Sequence, residues 1–181
     1  MVDIRSETPA DHPAIRALHE RAFGGPTEAR LVDALRAARK LVVSLVAVHQ
    51  ERLVGHIAFS PVTVTDARKG VRAVALAPMS VLPEFQSRAI GSRLVREGLE
   101  VCKRQGEAIV VVLGHATYYP RFGFLKAKEY GLENEYGAVD SFMVLELQEG
   151  ALQSVRGLVK YAPEFRQAGG SEATGAARAS S

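Results

Sequence analysis

The sequence predicts an α/β protein of the α+β type, with a mixed sheet whose antiparallel N-terminal strands lead into a central βαβ unit and with helices on both faces. Three observations predict it. Residues 74–81 (VALAPMSV) form an apolar run too rich in Val and Leu for a surface strand, and they pass through a small-residue loop into an amphipathic helix. Residues 108–113 (AIVVVL) form a second continuous apolar run, the pattern of a buried strand parallel to the first. Upstream, residues 41–48 and 53–60 flank the polar turn His49-Gln50-Glu51-Arg52, as in a hairpin.

The elements follow in order. Residues 2–5 alternate as a short strand. Thr8 is placed to cap a helix, with Pro9 at its first position and Asp11 at its third. That helix runs to about Phe23 with Ile15, Leu18 and Ala22 inward, which leaves His12 and His19 to solvent. Gly24-Gly25-Pro26 breaks it, and Thr27 can cap a second helix to about Ala38 with Leu31, Leu35 and Ala38 inward. After the hairpin, residues 62–65 extend its second strand, giving two or three antiparallel strands, and His56 on that strand faces solvent or is capped by a neighbour. Residues 66–72 are a charged loop. In the central helix Ile90, Leu94, Val95, Gly98 and Cys102 share one side, and Arg93, Arg96, Glu97, Glu100, Lys103 and Arg104 take the other. Gly106 stops it.

Beyond residue 113 the chain reads GHATYYPRFGF, an aromatic cluster in which Tyr118 and Phe122, four apart, cover one face of a short helix. Residues 131–140 are a polar excursion, 141–147 alternate as a closing strand, and 157–161 add a short edge segment. The expectation is one domain over residues 1–167 and a disordered tail over 168–181, which is too poor in large apolar residues to pack.

Composition narrows the function. The one cysteine, on the apolar side of the central helix, excludes an internal disulfide or a thiolate metal cluster, and no metal is expected. A net charge of +3 from scattered basic residues argues against nucleic acid. No apolar run approaches the roughly 20 residues that span a bilayer, and residues 1–7 have no secretory pattern, so no membrane and a cytoplasmic location are expected.

The first turn of a helix carries N–H groups without intrahelical partners and a partial positive charge, which suits a phosphate. Ser87, Ala89, Gly91 and Ser92 are small enough for a pyrophosphate to approach the main chain, and Arg88 or Arg93 can add charge. An ordinary βα turn, small only because helix and strand pack closely, explains the same loop equally well. Gln86-Ser87-Arg88-Ala89-Ile90-Gly91, after a strand ending Met79-Ser80-Val81, resembles the Q/R-x-x-G-x-G/A acetyl-CoA signature of the GNAT superfamily of N-acetyltransferases. Ala89 stands where the signature has its first glycine; alanine tolerates helical dihedrals but adds a methyl group toward the phosphate. Tyr119, four residues before Gly123, matches that superfamily's tyrosine before a Gly-Phe turn, and GHxxYYPRFGF resembles its YhbS-like branch.

The resemblance implies a GNAT-like fold and acetyl-CoA as co-substrate. Its pyrophosphate would rest on the loop Gln86, Ser87, Arg88, Ala89, Ile90, Gly91 and Ser92, and its pantetheine arm along Met79, Ser80 and Val81, with the Met79 or Val81 N–H polarising the thioester. Tyr119 would be the general acid toward the leaving thiolate. His115 is one option for the base, although it could equally cap the Gly114 turn; Glu84 and a water chain are others. The acceptor would be a primary amine of a small molecule or protein, with the Gly24-Gly25-Pro26 break lining its pocket, the 131–140 excursion covering it, and a homodimer as a further implication. A non-catalytic acyl-CoA sensor is the alternative. A dinucleotide oxidoreductase is disfavoured because G-x-G-x-x-G is absent.

Overall fold

The computed structural model describes residues 1–169. The expected tail lies outside the described residues, except for a turn at Ala168 and Gly169. The strands are β1 (Val2–Ser6), β2 (Val43–His49), β3 (Arg52–Ala67), β4 (Ala73–Val81), β5 (Ile109–Leu113), β6 (Leu125–Lys126), β7 (Leu132–Asn134), β8 (Phe142–Glu146) and β9 (Val155–Lys160). The helices are α1 (His12–Phe23), α2 (Thr27–Ala37), α3 (Ile90–Arg104) and α4 (Glu164–Gln167).

The main sheet runs β1-β2-β3-β4-β5-β8-β6, and within it only β4 and β5 are parallel. The β4-α3-β5 crossover is therefore the βαβ unit that the two apolar runs foretold. Its mixed, mainly antiparallel sheet with helices on both faces is the expected fold class. Thr8 opens a 3-10 turn (Pro9–Asp11) rather than α1 itself: Asp11 Oδ2 accepts from the Thr8 N–H at 2.7 Å and from its hydroxyl at 2.8 Å, and α1 starts one residue later.

Two cores divide at the sheet. Leu94, Val95, Leu99 and Cys102 of α3 pack with Phe59, Leu76 and Val110 on one face. On the other, Ile15 of α1 and Val32 of α2 meet Val46, and Leu31 and Leu35 meet Ala75 and Ala77. Burial pushes the Cys102 thiol up to about 12, as suits a packing residue and not a nucleophile.

The β3–β4 register places a site between the layers. Ile57 pairs Met79 while Phe59 pairs Leu76, so β4 carries one extra residue at Ala77-Pro78, where Pro78 has no N–H to give a ladder. Ahead of the bulge Val74 and Leu76 face α3; after it Met79 and Val81 do, and Ser80 turns to α1.

Two expectations are corrected. Residues 131–140 are not a generic loop, because β7 within them pairs parallel with β9. β9 also pairs antiparallel with Thr63–Ala67 of β3, so the 157–161 segment belongs to the middle of a small second sheet instead of an edge. The excursion thus docks on the end of β3 remote from Gly55–Ile57, where β4 reaches Val81, and does not cover that end.

Candidate active site

β4 and β5 pair only from Ala73–Ala75 to Ile109–Val111, and beyond this the two strands part. The Leu82 N–H donates to Val54 O at 2.9 Å, so Leu82 and, two residues back, Ser80 turn their main-chain groups to β3. Those of Met79 and Val81 turn the other way, into the fork. The Val81 carbonyl accepts from Gln86 Nε2 at 3.1 Å, which anchors the start of the loop. Two N–H groups on a rigid strand facing a gap between parallel strands can pair with an extended ligand and polarise a carbonyl within it.

The loop delivers the chain to α3 with Ser87 and Ala89 in left-handed conformations, at φ 59° and 60°. Ala89 thus takes the backbone that a glycine adopts freely, and not the helical dihedrals expected of it. The first bond of α3 runs from the Arg93 N–H to Ala89 O at 3.0 Å, and the N-cap residue Ala89 has no side-chain oxygen to cap the helix. The N–H groups of Ile90, Gly91 and Ser92 precede that bond and point out of the helix end, an anion cradle. Around it stand Arg88 over the Phe85 ring at 5.2 Å, Arg96 over Phe122 at 5.4 Å and Arg121 over Tyr118 at 4.6 Å; Arg93 instead reaches the Val2 carbonyl at 3.1 Å. These residues fit a pyrophosphate with a cationic rim.

The two tyrosines take different places. Tyr119 is fully buried, edge-on to Phe124 at 5.5 Å between ring centroids, and its hydroxyl has no hydrogen-bond partner among the described residues. A Cβ on Gly114, where β5 ends, would lie 2.3 Å from this ring, so Gly114 is what lets the ring lie against the strand. Burial raises the Tyr119 phenol above its usual range and keeps it protonated at neutral pH. Tyr118, read from the sequence as packing alone, also carries its hydroxyl to the first turn of α3, 3.5 Å from Ser92 Oγ. A Cβ on Gly91 would be 3.1 Å from that hydroxyl and 3.8 Å from both Met79 Cε and Val81 Cγ2, so Tyr118 stands where β4 meets the cradle.

His115 is exposed, and its carbonyl oxygen accepts the Tyr118 N–H at 3.0 Å. The main chain of His115 builds the turn, while no group among the described residues hydrogen-bonds its imidazole. Glu84 is engaged by Arg52 at 2.7 Å and Arg21 at 3.2 Å at the surface; a hydrogen bond from its own backbone N–H, then the two guanidinium groups, hold its carboxyl below the usual range.

A chain of buried polar groups is the feature the sequence reading missed. His19, expected at solvent, and His56, expected to face solvent or to be capped by a neighbour, are both completely buried, with His19 Nε2 2.8 Å from His56 Nδ1. His19 Nδ1 is 3.1 Å from Ser80 Oγ, and His56 Nε2 is 2.8 Å from Ser44 Oγ. Ser44 in turn bonds Glu7, which Arg36 grips through Nε at 2.8 Å and Nη2 at 3.0 Å. Burial lowers both imidazoles, helped at His19 by the neighbouring His56 and opposed at His56 by Glu7, so both lie below the usual range and are neutral at pH 7. Burial alone would raise Glu7, but hydrogen bonds from His56, Arg36 and Ser44 outweigh it and hold the carboxylate well below its usual range. The available signal was positional: His19 follows Leu18 and lies one turn after Ile15, so its helix face is half apolar, and His56 sits in a run buried on both sides.

Comparison with known proteins agrees with this geometry. Residues 3–127 match the acetyltransferase (GNAT) domain family. The chain is 38% identical over 166 residues to the N-acetyltransferase YhbS of Escherichia coli (strain K12), covering 91% of this chain and 98% of that protein. It superposes on the crystal structure of Escherichia coli YhbS in complex with CoA with a TM-score of 0.85, covering 91% of this chain and 92% of the other. A GNAT family acetyltransferase from Brucella melitensis in complex with acetyl-CoA, 37% identical, gives a TM-score of 0.76 over 91% of this chain and 98% of its own. The fork, the loop into α3 and these relatives converge: the chain belongs to the GNAT family of acetyltransferases.

Proposed function

We propose that the protein moves an acetyl group from acetyl-CoA to a primary amine of a small molecule or protein by direct attack, with Tyr119 as general acid. Acetyl-CoA, when bound, supplies an acetyl thioester on a long arm ending in phosphates. The N–H groups of Ile90, Gly91 and Ser92 are the natural seat for the pyrophosphate, with Gln86, Ser87, Arg88 and Ala89 shaping the approach. Met79 and Val81 offer the fork its N–H dipoles, fixed in advance and so able to stabilise negative charge growing on a carbonyl oxygen. Proximity of amine and thioester supplies much of the remaining acceleration.

The observation that carries the acid assignment is the Tyr119 hydroxyl, buried beside the end of β5 with no protein partner. A buried phenol without a partner costs stability, and a leaving thiolate in the fork would be a partner that needs its proton. The same hydroxyl favours an enzyme over a purely binding sensor, which needs no acid there. The test replaces Tyr119 with Phe and measures thiol release and, by calorimetry, affinity for acetyl-CoA. Turnover falls about 100-fold or more while affinity stays within about twofold; an equal loss of both makes Tyr119 a packing residue. Tyr118→Phe gives the converse, weaker binding with turnover at saturation nearly kept.

A further inference from the structure

We propose that the buried chain Ser80–His19–His56–Ser44–Glu7 is a proton conduit that carries the proton lost by the attacking amine from the fork, along the α1–α2 face of the sheet, to its rim at Glu7. This rests on the acetyltransferase reading above and supplies the base which that reading lacks.

Hydrogen-bond logic fixes the direction of the chain. The Glu7 carboxylate can only accept, so the single Ser44 hydroxyl proton goes to it. Ser44 Oγ then has only lone pairs for His56 Nε2, which must carry N–H. His56 Nδ1 is left as an acceptor, so His19 Nε2 is an N–H donor to it. His19 Nδ1 is in turn an acceptor, and the Ser80 hydroxyl donates to it. Every link has one donor and one acceptor, all pointing from Ser80 to Glu7. A proton reaching Ser80 Oγ, directly or through one water, displaces Ser80's own proton to His19 Nδ1. The Nε2 proton of His19 passes to His56 Nδ1, that of His56 Nε2 to Ser44, and that of Ser44 to Glu7. One proton enters at Ser80 and one leaves through Glu7, which Arg36 keeps ionised between turnovers, and no charge stays on either imidazole.

Both ends lie where such a conduit needs them. Ser80 sits between Met79 and Val81, whose N–H groups face the fork, and its own side chain points to the α1 side. On that side His19 stacks on Phe23 at 5.8 Å between centroids, the last residue before the Gly24-Gly25-Pro26 break. Glu7 lies at the rim with a side chain 13% exposed, open to water, and His12 of α1 is 3.5 Å from it. The other charges against the chain are Arg36 of α2 and Asp33, which bonds Arg36 at 2.9 Å. In the full reaction the amine nitrogen bonds to the acetyl carbon and the C–S bond breaks. Tyr119 protonates the thiolate, the amine's proton leaves through Ser80, and Tyr119 regains a proton from water.

Nitrogen-15 NMR of the histidine side chains in the full-length protein tests the wiring. His19 and His56 are expected to be neutral and protonated on Nε2 alone from pH 6 to 8; a proton on Nδ1 of either, or a charged ring, overturns the proposal. Thiol release from acetyl-CoA tests its use, with water as acceptor in the absence of amine, since attacking water also sheds a proton. Ser80→Ala and Glu7→Gln are each expected to lower kcat at least tenfold with the acetyl-CoA KM within twofold, and Ser80→Thr to recover most of the loss. Full kcat in Ser80→Ala overturns the conduit and leaves the histidines as packing. A wild-type protein that releases no thiol with water or any amine defeats the acetyltransferase reading instead, and the NMR result still decides the wiring.

Discussion

Ala89 holds a left-handed backbone that costs an alanine roughly 1–2 kcal/mol relative to helical dihedrals. Glycine removes that cost and gives back about 0.5–1 kcal/mol through the freer unfolded chain. Ala89→Gly is therefore expected to stabilise the protein by up to about 1 kcal/mol, read as a higher urea midpoint at unchanged m-value. It also takes a methyl group out of the cradle, so acetyl-CoA should bind more tightly; a lower midpoint would contradict the left-handed turn. Tyr119 carries the opposite balance of stability and function. Its unpartnered hydroxyl makes Tyr119→Phe neutral or stabilising by about 1 kcal/mol while turnover collapses, so a raised melting temperature in an inactive variant is the expected signature.

The β4-α3-β5 unit was the most legible part of the sequence, because its two apolar runs and the amphipathic helix between them each obey one periodicity. Its packing adds a constraint at Gly98: a Cβ there would lie 2.4 Å from Cε2 and 2.7 Å from Cζ of Phe59 on β3. Gly98→Ala is expected to cost about 1–3 kcal/mol by forcing helix and sheet apart, measurable by thermal unfolding; an unchanged transition would mean that the Phe59 ring swings aside freely. The small second sheet was not legible, because β7 is only three residues long and pairs with a strand more than twenty positions later. Nor were the buried histidines. A polar residue on a mainly apolar face reads as solvated, and only the meeting of α1, β2, β3 and β4 in space shows that His19, Ser44, His56 and Ser80 satisfy one another. The phosphate loop could be read from small residues at a strand–helix junction; that Ser87 and Ala89 turn left-handed there could not, since neither residue type asks for it.

For the whole molecule, the buried histidine pair ties stability to pH. Their folded-state pKa values lie below the unfolded value of about 6.5. Below that pH the unfolded chain takes up protons that the folded one refuses, so stability is full above about pH 6.5 and falls by up to about 1.4 kcal/mol per pH unit per histidine as the solution is acidified. Glu7, held below its usual range, adds a further loss as pH drops under the unfolded carboxylate value of about 4.3. Melting temperatures recorded from pH 8 to 4 should bend downward near pH 6.5, and His56→Gln should weaken that bend; a flat profile would mean that the pair is already open to solvent. On the proposed function, the fork and the end of α3 form one site for a coenzyme A thioester. Calorimetric titration with acetyl-CoA, with NAD as a control carrying a pyrophosphate but no pantetheine arm, tests it most directly. Saturable 1:1 binding of acetyl-CoA without comparable binding of NAD is the expected result, and no heat with acetyl-CoA at millimolar concentration would contradict it.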